Sequence, residues 1–331
     1  MFAINDKIKA LLRTSASKNL DVSLAAVSEL AKALELPLRQ GVLSGYILNG
    51  IFEPIDVAES TTTDFPLDFI APGTEDEFVA YTIPNHGYIP QRQVEGDYVK
   101  VPTYDIGASI DWLLKYARDA RWDIVSRAME VMRAQFTKKL NDDGFHTIVS
   151  AGVDRNIIVL DTDAGAGQFT KRLVSLMKTV MRRNGGGNST SINRGKLTDL
   201  YISPEAMEDI RNWNVDQVDE ITRREIFVSQ NENALNRVFS VNLHDLDELG
   251  EGQEYQLFYT NTLSGTLPSN DVEICVGLDL RSRDSFVMPV REQLEIFEDP
   301  TLHRQRKAGM YGWQEQGFAV LNSTRVLVGS L

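Results

Sequence analysis

The sequence predicts an α+β protein. Three observations carry that reading: two amphipathic helices within residues 4–36, an unbroken helical periodicity over residues 110–140, and a series of short strand patterns from residue 237 to the end. In the second N-terminal helix, Leu20, Leu24, Val27, Leu30, Ala31 and Leu34 recur at three and four residues. Asp21 sits in the first turn, and Pro37 marks the expected end. The following GVLSGYILNGIFEPI has no sustained period and reads as an extended connector, so the first fifty residues resemble an arm with little core of its own.

Between residues 54 and 109 the prolines at 66, 72, 84, 90 and 102 break any helix. Residues 77–83 and 97–104 alternate apolar and polar side chains as strands do, which predicts a long two-stranded excursion with an irregular tip. A lone hairpin is marginally stable in water, so this one must rest on something else. Over residues 110–140, Ile110, Leu113, Leu114, Ala117, Ile124, Ala128, Val131, Met132, Phe136 and Leu140 fall at helical spacing. The predicted helix is about 45 Å long and stops at Asn141-Asp142-Asp143-Gly144.

A further helix is expected at 169–183, with Phe169, Leu173, Leu176, Met177 and Val180 on one side. Lys171, Arg172, Lys178, Arg182 and Arg183 lie on the other. A flexible loop (184–195) leads to a buried strand at 197–202. There Ser203-Pro204-Glu205 carries a cap, a first-turn proline and an acid, the marks of a helix start. Strands are expected at 237–243, 255–260, 271–280, 285–290 and 292–298, and the tail is expected to end in a strand pair.

Composition limits the function. The chain has 331 residues, 34 Lys plus Arg against 47 Asp plus Glu, and a net charge of −13, which argues against a protein that grips nucleic-acid phosphates. Charge is segregated: residues 54–109 carry ten acids against two bases, residues 153–196 eight bases against three acids, and residues 197–280 seventeen acids against four bases. The single Cys275 can form no internal disulfide and hold no structural zinc. No apolar run is long enough to span a membrane, and the N-terminus lacks the apolar core of a secretory signal, so a soluble, intracellular protein is expected.

The chemical motifs are absent. His86, His146, His244 and His303 are scattered, with no metal-ligand spacing. Asp161-Thr162-Asp163-Ala164-Gly165 resembles the start of a calcium loop, but its twelfth position is Arg172 where a bidentate Glu is required, so it reads as an acidic turn. Gly165-Ala166-Gly167 lacks the rest of a phosphate-binding motif. The acids Asp245, Asp247, Glu248, Glu251 and Glu254 read as a solvated loop, and Cys275 as an inert thiol in an apolar strand. No cofactor, metal or catalytic residue is expected.

The order of elements resembles the major capsid proteins of tailed double-stranded DNA bacteriophages, which share the Hong Kong 97 fold. The resemblance rests on VPTYDIGASIDWLLKYARDARWDIVSRAME, where an excursion strand runs into a long helix, on LTDLYISPEAMEDIRNW, and on the closing GMYGWQEQGFAVLNSTRVLVGSL. It implies an N-terminal arm at 1–53, an E-loop hairpin with flanking strands at 54–109, and a peripheral domain with its spine helix at 110–168. An axial domain would follow at 169–275, then peripheral strands and a closing axial segment at 276–331. The implied function is a non-enzymatic subunit that assembles, as hexamers and pentamers, into an icosahedral shell around phage DNA in the host cytoplasm. Portal, scaffolding and decoration proteins are the implied partners, and no membrane is involved. An encapsulin-type compartment shell is the alternative, and a cytosolic hydrolase a remote one. The acidic excursion suggests intersubunit contacts, with Glu75, Asp76, Glu77, Arg92 and Lys100 as candidates, answered on a neighbour by the basic region 153–196 or by Arg281, Arg283, Arg304 and Arg306. Lys100 lies away from the tip, so no covalent crosslink is expected.

Overall fold

The structure is a computed structural model, and it describes residues 6–17, 19–44, 47–58, 61–66, 98–119, 122–165, 167–184, 195–213, 236–265, 267–268, 271–281 and 285–331. The predicted strand at 77–83 and the excursion tip lie outside these residues. In chain order come α1 (Asp6–Ser15), α2 (Leu20–Ser44), β1 (Glu53–Asp56), β2 (Asp64–Pro66), β3 (Tyr98–Lys100), β4 (Tyr104–Leu113), α3 (Leu114–Arg118) and α4 (Trp122–Asp154). Then follow β5 (Ile158–Val159), α5 (Lys171–Asn184), β6 (Asp199–Ile202), α6 (Pro204–Asn212), β7 (Asn236–Val238), β8 (Val241–Asp245) and α7 (Glu254–Leu257). The chain closes with β9 (Ile274–Leu278), β10 (Phe286–Glu298), β11 (Lys307–Gln316), β12 (Ala319–Val320) and β13 (Val326–Ser330). It divides into two compact units, the first made of residues 1–63, 100–144 and 287–318 and the second of the remainder. β2 and β3 form a two-stranded ladder at the root of the excursion.

In the first unit four strands run in the order β1-β10-β11-β4. β1 is parallel to β10, and β4 pairs antiparallel with β11 along its whole length, from Lys307 opposite Leu113 to Gln316 opposite Tyr104. Even-numbered residues of β4 and β11 point inward, so Ile106, Trp112 and Met310 are buried. This ladder corrects the predicted helix of 110–140. Ile106, Ile110 and Trp112 share a period of two, and pairing to β11 selects the strand. The long helix begins at Trp122 instead.

Its end also differs from the expectation. α4 passes through Asn141-Asp142-Asp143-Gly144 to Asp154, 33 residues or roughly 50 Å. These residues are engaged sideways. Asn141 Oδ1 accepts from Ile47 N at 3.2 Å, and Asp143 accepts from Tyr104 Oη at 2.9 Å and Lys139 Nζ at 2.7 Å. A Cβ at Gly144 would collide with Leu48 and approach Phe318 to 3.3 Å. Gly144 is there for close packing within a helix.

The N-terminal segment has more core than an arm requires. α1 and α2 pack together, with Leu12, Val27, Leu30, Leu34 and Leu38 buried, and the buried Ser23 Oγ donates to Ser15 O at 2.5 Å. α2 runs through Pro37 to Ser44, because Leu38 extends the stripe of Leu30 and Leu34 and its burial outweighs the missing backbone donor. The expected connector is helix, a 3₁₀ turn at Ile47–Gly50 and the strand β1.

The second unit is built on a six-stranded sheet ordered β5-β13-β9-β6-β8-β7. β6, β9 and β13 are buried at every residue, as befits a sheet covered on both faces. On one face α5 and α6 contribute Leu173, Val174, Met177, Ala206 and Ile210 to a core with Leu200, Leu243, Cys275 and Leu327. Tyr201 belongs to the other face, where Phe145 meets it edge-on at 5.9 Å and stacks on Tyr255 at 4.6 Å. Ser203 caps α6 as expected, its Oγ accepting from Ala206 N at 3.1 Å.

Four further strand expectations change. Residues 255–260 are α7 and a π turn, because Tyr255 and Tyr259, four apart, are both buried. The stretch expected at 237–243 is the hairpin of β7 and β8, turned by Phe239 and Ser240 at positive φ. The strands expected at 285–290 and 292–298 are one irregular strand, β10, with register shifts around Glu292. The tail strands do not pair with each other: β11 joins β10 and β4, and β13 joins β9 and β5.

Replacing Gly144 by Ala is expected to destabilise the protein. The gain in helix propensity, about 1 kcal/mol, is outweighed by overpacking of about 1–3 kcal/mol against Leu48 and Phe318. Gly107→Ala is the control, since among the described residues its Cβ would find only Gly312 O at 3.6 Å. Urea unfolding of the two variants beside the parent checks this; a Gly144→Ala variant more stable than the parent would remove the packing role.

Candidate assembly surfaces

The odd-numbered residues of β4 and β11 make an outward face. Trp313 lies opposite Gly107 and Tyr311 opposite Ser109, so small residues face both rings; Trp313 is 44% exposed and Tyr311 half-buried. Phe297 joins them from β10, with ring centroids 5.7 Å from Tyr311 and 5.3 Å from Trp313. Charged pairs flank the cluster: Lys307 with Asp111, and Arg291 with Glu315 at 3.4 Å. Sequence reading took these aromatics only as part of the closing segment. Their alternation at 311 and 313 was the available signal, but the cluster needs Phe297 from another strand.

In the second unit the two ends of the sheet differ. At one end Asp279 is fully buried between two guanidinium groups. Its oxygens accept from Arg281 Nε at 3.0 Å and Nη2 at 2.9 Å, from Lys196 N at 2.9 Å, and from Arg325 Nη1. Burial alone would push this carboxyl up, but the hydrogen bonds from Arg281 and Lys196 and the charges of Arg325 and Arg281 hold it below the ordinary aspartate value. Nearby, Asp199 accepts from Asn242 Nδ2 at 3.0 Å and meets His244 Nε2 at 2.9 Å, while His244 stacks on Tyr201 at 4.8 Å.

At the other end Glu273, 5% exposed, accepts a short hydrogen bond from Ser203 Oγ. Burial raises its carboxyl above the ordinary glutamate value, the Ser203 bond opposes this, and the nearby Glu205, Asp209 and Glu251 push it higher. Burial likewise pushes the Cys275 thiol up to about 12, which fits an inert sulfur.

The residues singled out in the sequence scatter. Glu75, Asp76, Glu77, Arg92 and Arg283 lie outside the described residues. Lys100 is exposed on β3; Arg304 and Arg306 are exposed in one turn after β10, with Arg306 at φ 57°. Arg281 belongs to the second unit and is committed to Asp279. In the acidic turn Asp161 accepts from Thr170 Oγ1 at 2.6 Å, and Arg172 pairs with Asp161 and Asp163, so the residue that breaks the calcium pattern neutralises the turn. Among the described residues no group of His, Cys, Asp or Glu is arranged to hold a metal, and no helix is long and apolar enough to cross a membrane.

Comparison with solved structures places the fold. A chain from Microbacterium phage Oxtober96 matches with a TM-score of 0.59 at 10% identity, over 87% of this chain and 90% of that one. The capsid of Myoviridae phage XM1 matches with a TM-score of 0.51 at 12% identity, over 86% and 90%. The capsid of a native GTA particle matches with 0.53 at 12%, over 86% and 89%. No family model and no curated protein matches the chain. The fold is therefore that of phage capsid chains, the Hong Kong 97 type implied by the resemblance.

Two substitutions read the two sheet ends. Glu273→Gln is expected to raise the melting temperature at pH 7 and to lose that advantage as pH falls toward the glutamate range. A raised carboxyl pKa adds stability fully only below its unfolded value, and that stability is lost as pH rises through the folded one. Asp279→Asn runs the opposite way. The contribution of a lowered carboxyl is present above its unfolded pKa and lost as pH falls through the folded value, so the variant loses on the order of 3 kcal/mol near neutrality and less in acid. Thermal melts of both variants from pH 7 to 3 check the signs; parallel pH profiles would contradict them.

Proposed function

We propose that this chain is a major capsid subunit that assembles in many copies into an icosahedral shell enclosing phage DNA. The observation that carries the reading is the fold match over nearly nine-tenths of the chain to phage and GTA capsid structures. The aromatic cluster of β10 and β11, with Trp313 exposed and Phe297 and Tyr311 half-buried, supports it, since such a cluster rimmed by ion pairs is suited to protein contact. The near-neutral stretch 110–152, seven bases against six acids, suits a wall that confines DNA without gripping it.

In this reading residues 1–53 form the arm, 54–109 the E-loop and its flanks, and 110–168 a peripheral domain whose spine is α4. Residues 169–275 form the axial domain, and 276–331 return to close both. The subunits group as hexamers and pentamers, with portal, scaffolding and decoration proteins as partners, and assemble in the host bacterial cytoplasm into the virion capsid. The subunit performs no chemistry; its work is association.

Particle contents test this. Particles carrying the chain, treated with nuclease and then opened, are expected to release protected double-stranded DNA. Release of a packaged protein and no DNA would overturn the reading in favour of a compartment shell.

A further inference from the structure

The strand registers of the second unit order its charges along one axis. Asp199 of β6, Asn242 of β8, Leu278 of β9 and Val326 of β13 share one end of the sheet; Ile202, Asp245, Ile274 and Ser330 share the other. α5 begins toward the Ser330 end, where Phe169 N donates to Asp209 Oδ2 of α6 at 2.8 Å, and finishes at the Asp199 end. There Met181 O lies against Gly195, Lys196 N donates to Asp279, and Lys178 Nζ donates to Phe239 O in the β7–β8 turn at 2.6 Å.

Three separate segments bring exposed cations to the Asp199 end: Arg182 and Arg183 from α5, Lys196 from the stretch before β6, and Arg237 from β7. The dipole of α5 accounts for cations in its last turn. It does not account for Lys196 or Arg237. Among the described residues none of these four is in an ion pair with a carboxylate. The carboxylates that the strands carry there are withdrawn. Asp199 is buried against Asn242 and His244, and Asp279 is held between Arg281 and Arg325. The exposed acids Asp247 and Glu251 belong to the opposite end. α5 separates the two ends by its 14 residues, about 21 Å. That is more than twice the Debye length of about 8 Å at physiological salt, so the acidic end is screened from a ligand at the basic one.

The β7–β8 turn adds an independent observation. Phe239 and Ser240 occupy its corners at φ of 49° and 65°, positions that Asn and Gly take without strain. Phe239 is 48% exposed, so burial does not offset the strain. From the cations and this ring we infer that the Asp199 end of the second unit is a contact site for the sugar-phosphate backbone of double-stranded DNA, bound without regard to base sequence. The inference rests on the capsid reading for its ligand and names where the enclosed DNA touches the subunit. Arg182, Arg183, Lys196 and Arg237 meet phosphates, and the Phe239 ring enters the groove as apolar side chains do at base steps. A protein interface has an apolar centre and a rim of both signs. This end has one ring and a rim of one sign, which is the electrostatic footprint of a nucleic acid. The contact is local and salt-sensitive, in keeping with a chain too acidic overall to coat DNA.

The full-length chain, held as unassembled subunits, is titrated against a labelled mixed-sequence duplex at salt between about 50 and 200 mM, with anisotropy as the readout. Four cations at phosphates give a slope of log affinity on log salt of about −3.6. Arg182→Gln with Arg183→Gln is expected to weaken binding at least about tenfold at the lower salt and to flatten the slope by about 2. Lys196→Gln flattens it by about 1 and serves if the double variant fails to fold. Phe239→Asn is expected to leave the slope unchanged, to weaken binding about threefold, and to raise the melting temperature, since Asn accepts the left-handed turn. Arg127→Gln with Arg304→Gln removes the same charge from exposed places in the first unit, and is expected to bind as the parent does.

A parent that binds no duplex, or a first-unit pair that weakens binding as much as the α5 pair, would overturn the contact. Neither outcome touches the capsid reading, which the DNA content of particles decides separately. Duplex binding unchanged by the α5 pair while assembly fails would assign this end to a second copy and also overturn it. A Phe239→Asn variant that binds like the parent would remove the ring from the site.

Discussion

The ladder between β4 and β11 is the constraint on which the rest depends. It joins residues 104–113 to residues 307–316 through ten consecutive pairs, so the chain must leave the first unit and return to it before that unit can close. The closure entropy of so long an excursion is set against a full antiparallel ladder and the burial of Ile106, Trp112 and Met310. Residues 145–286 use the excursion to supply five strands of a second sheet, and β13, after the ladder, inserts between β5 and β9 to complete it; β6, β9 and β13 are buried at every residue. The same ladder holds Ile110 and Leu113 in a strand and starts the long helix only at Trp122.

Much of the fold was legible in local patterns, and the errors share a cause. The amphipathic stripes of α1, α2 and α5 and the Ser203-Pro204 start of α6 were read correctly because each is decided within one turn or one face. Gly144 and Pro37 were misread as breakers. Either residue ends an isolated helix, but burial of Leu38 and the approach of Leu48 and Phe318 to Gly144 are tertiary facts that override propensity. Tyr255 and Tyr259 were taken for strand residues for the same reason: their four-residue spacing matters only once both are buried.

The candidate surfaces were legible only in part. Segment charge sums pointed to a basic region around α5 and an acidic one after it, yet they could not order those charges in space; the β6–β9 and β6–β8 registers do. Arg281 looked available for a partner but is spent on Asp279, a buried carboxylate whose cost is met by two guanidinium groups and a backbone amide. The aromatic face needed three strands to assemble, and no linear pattern could show it.

On the proposed capsid function, this chain of 37.1 kDa builds a closed shell. Sedimentation velocity of the purified full-length protein, with electron microscopy of the same sample, tests it most directly. Rings or closed shells of many copies, far heavier than the monomer, are expected to form as protein concentration rises. A single sharp boundary for a monomer of that mass across all conditions, with empty grids, would contradict it.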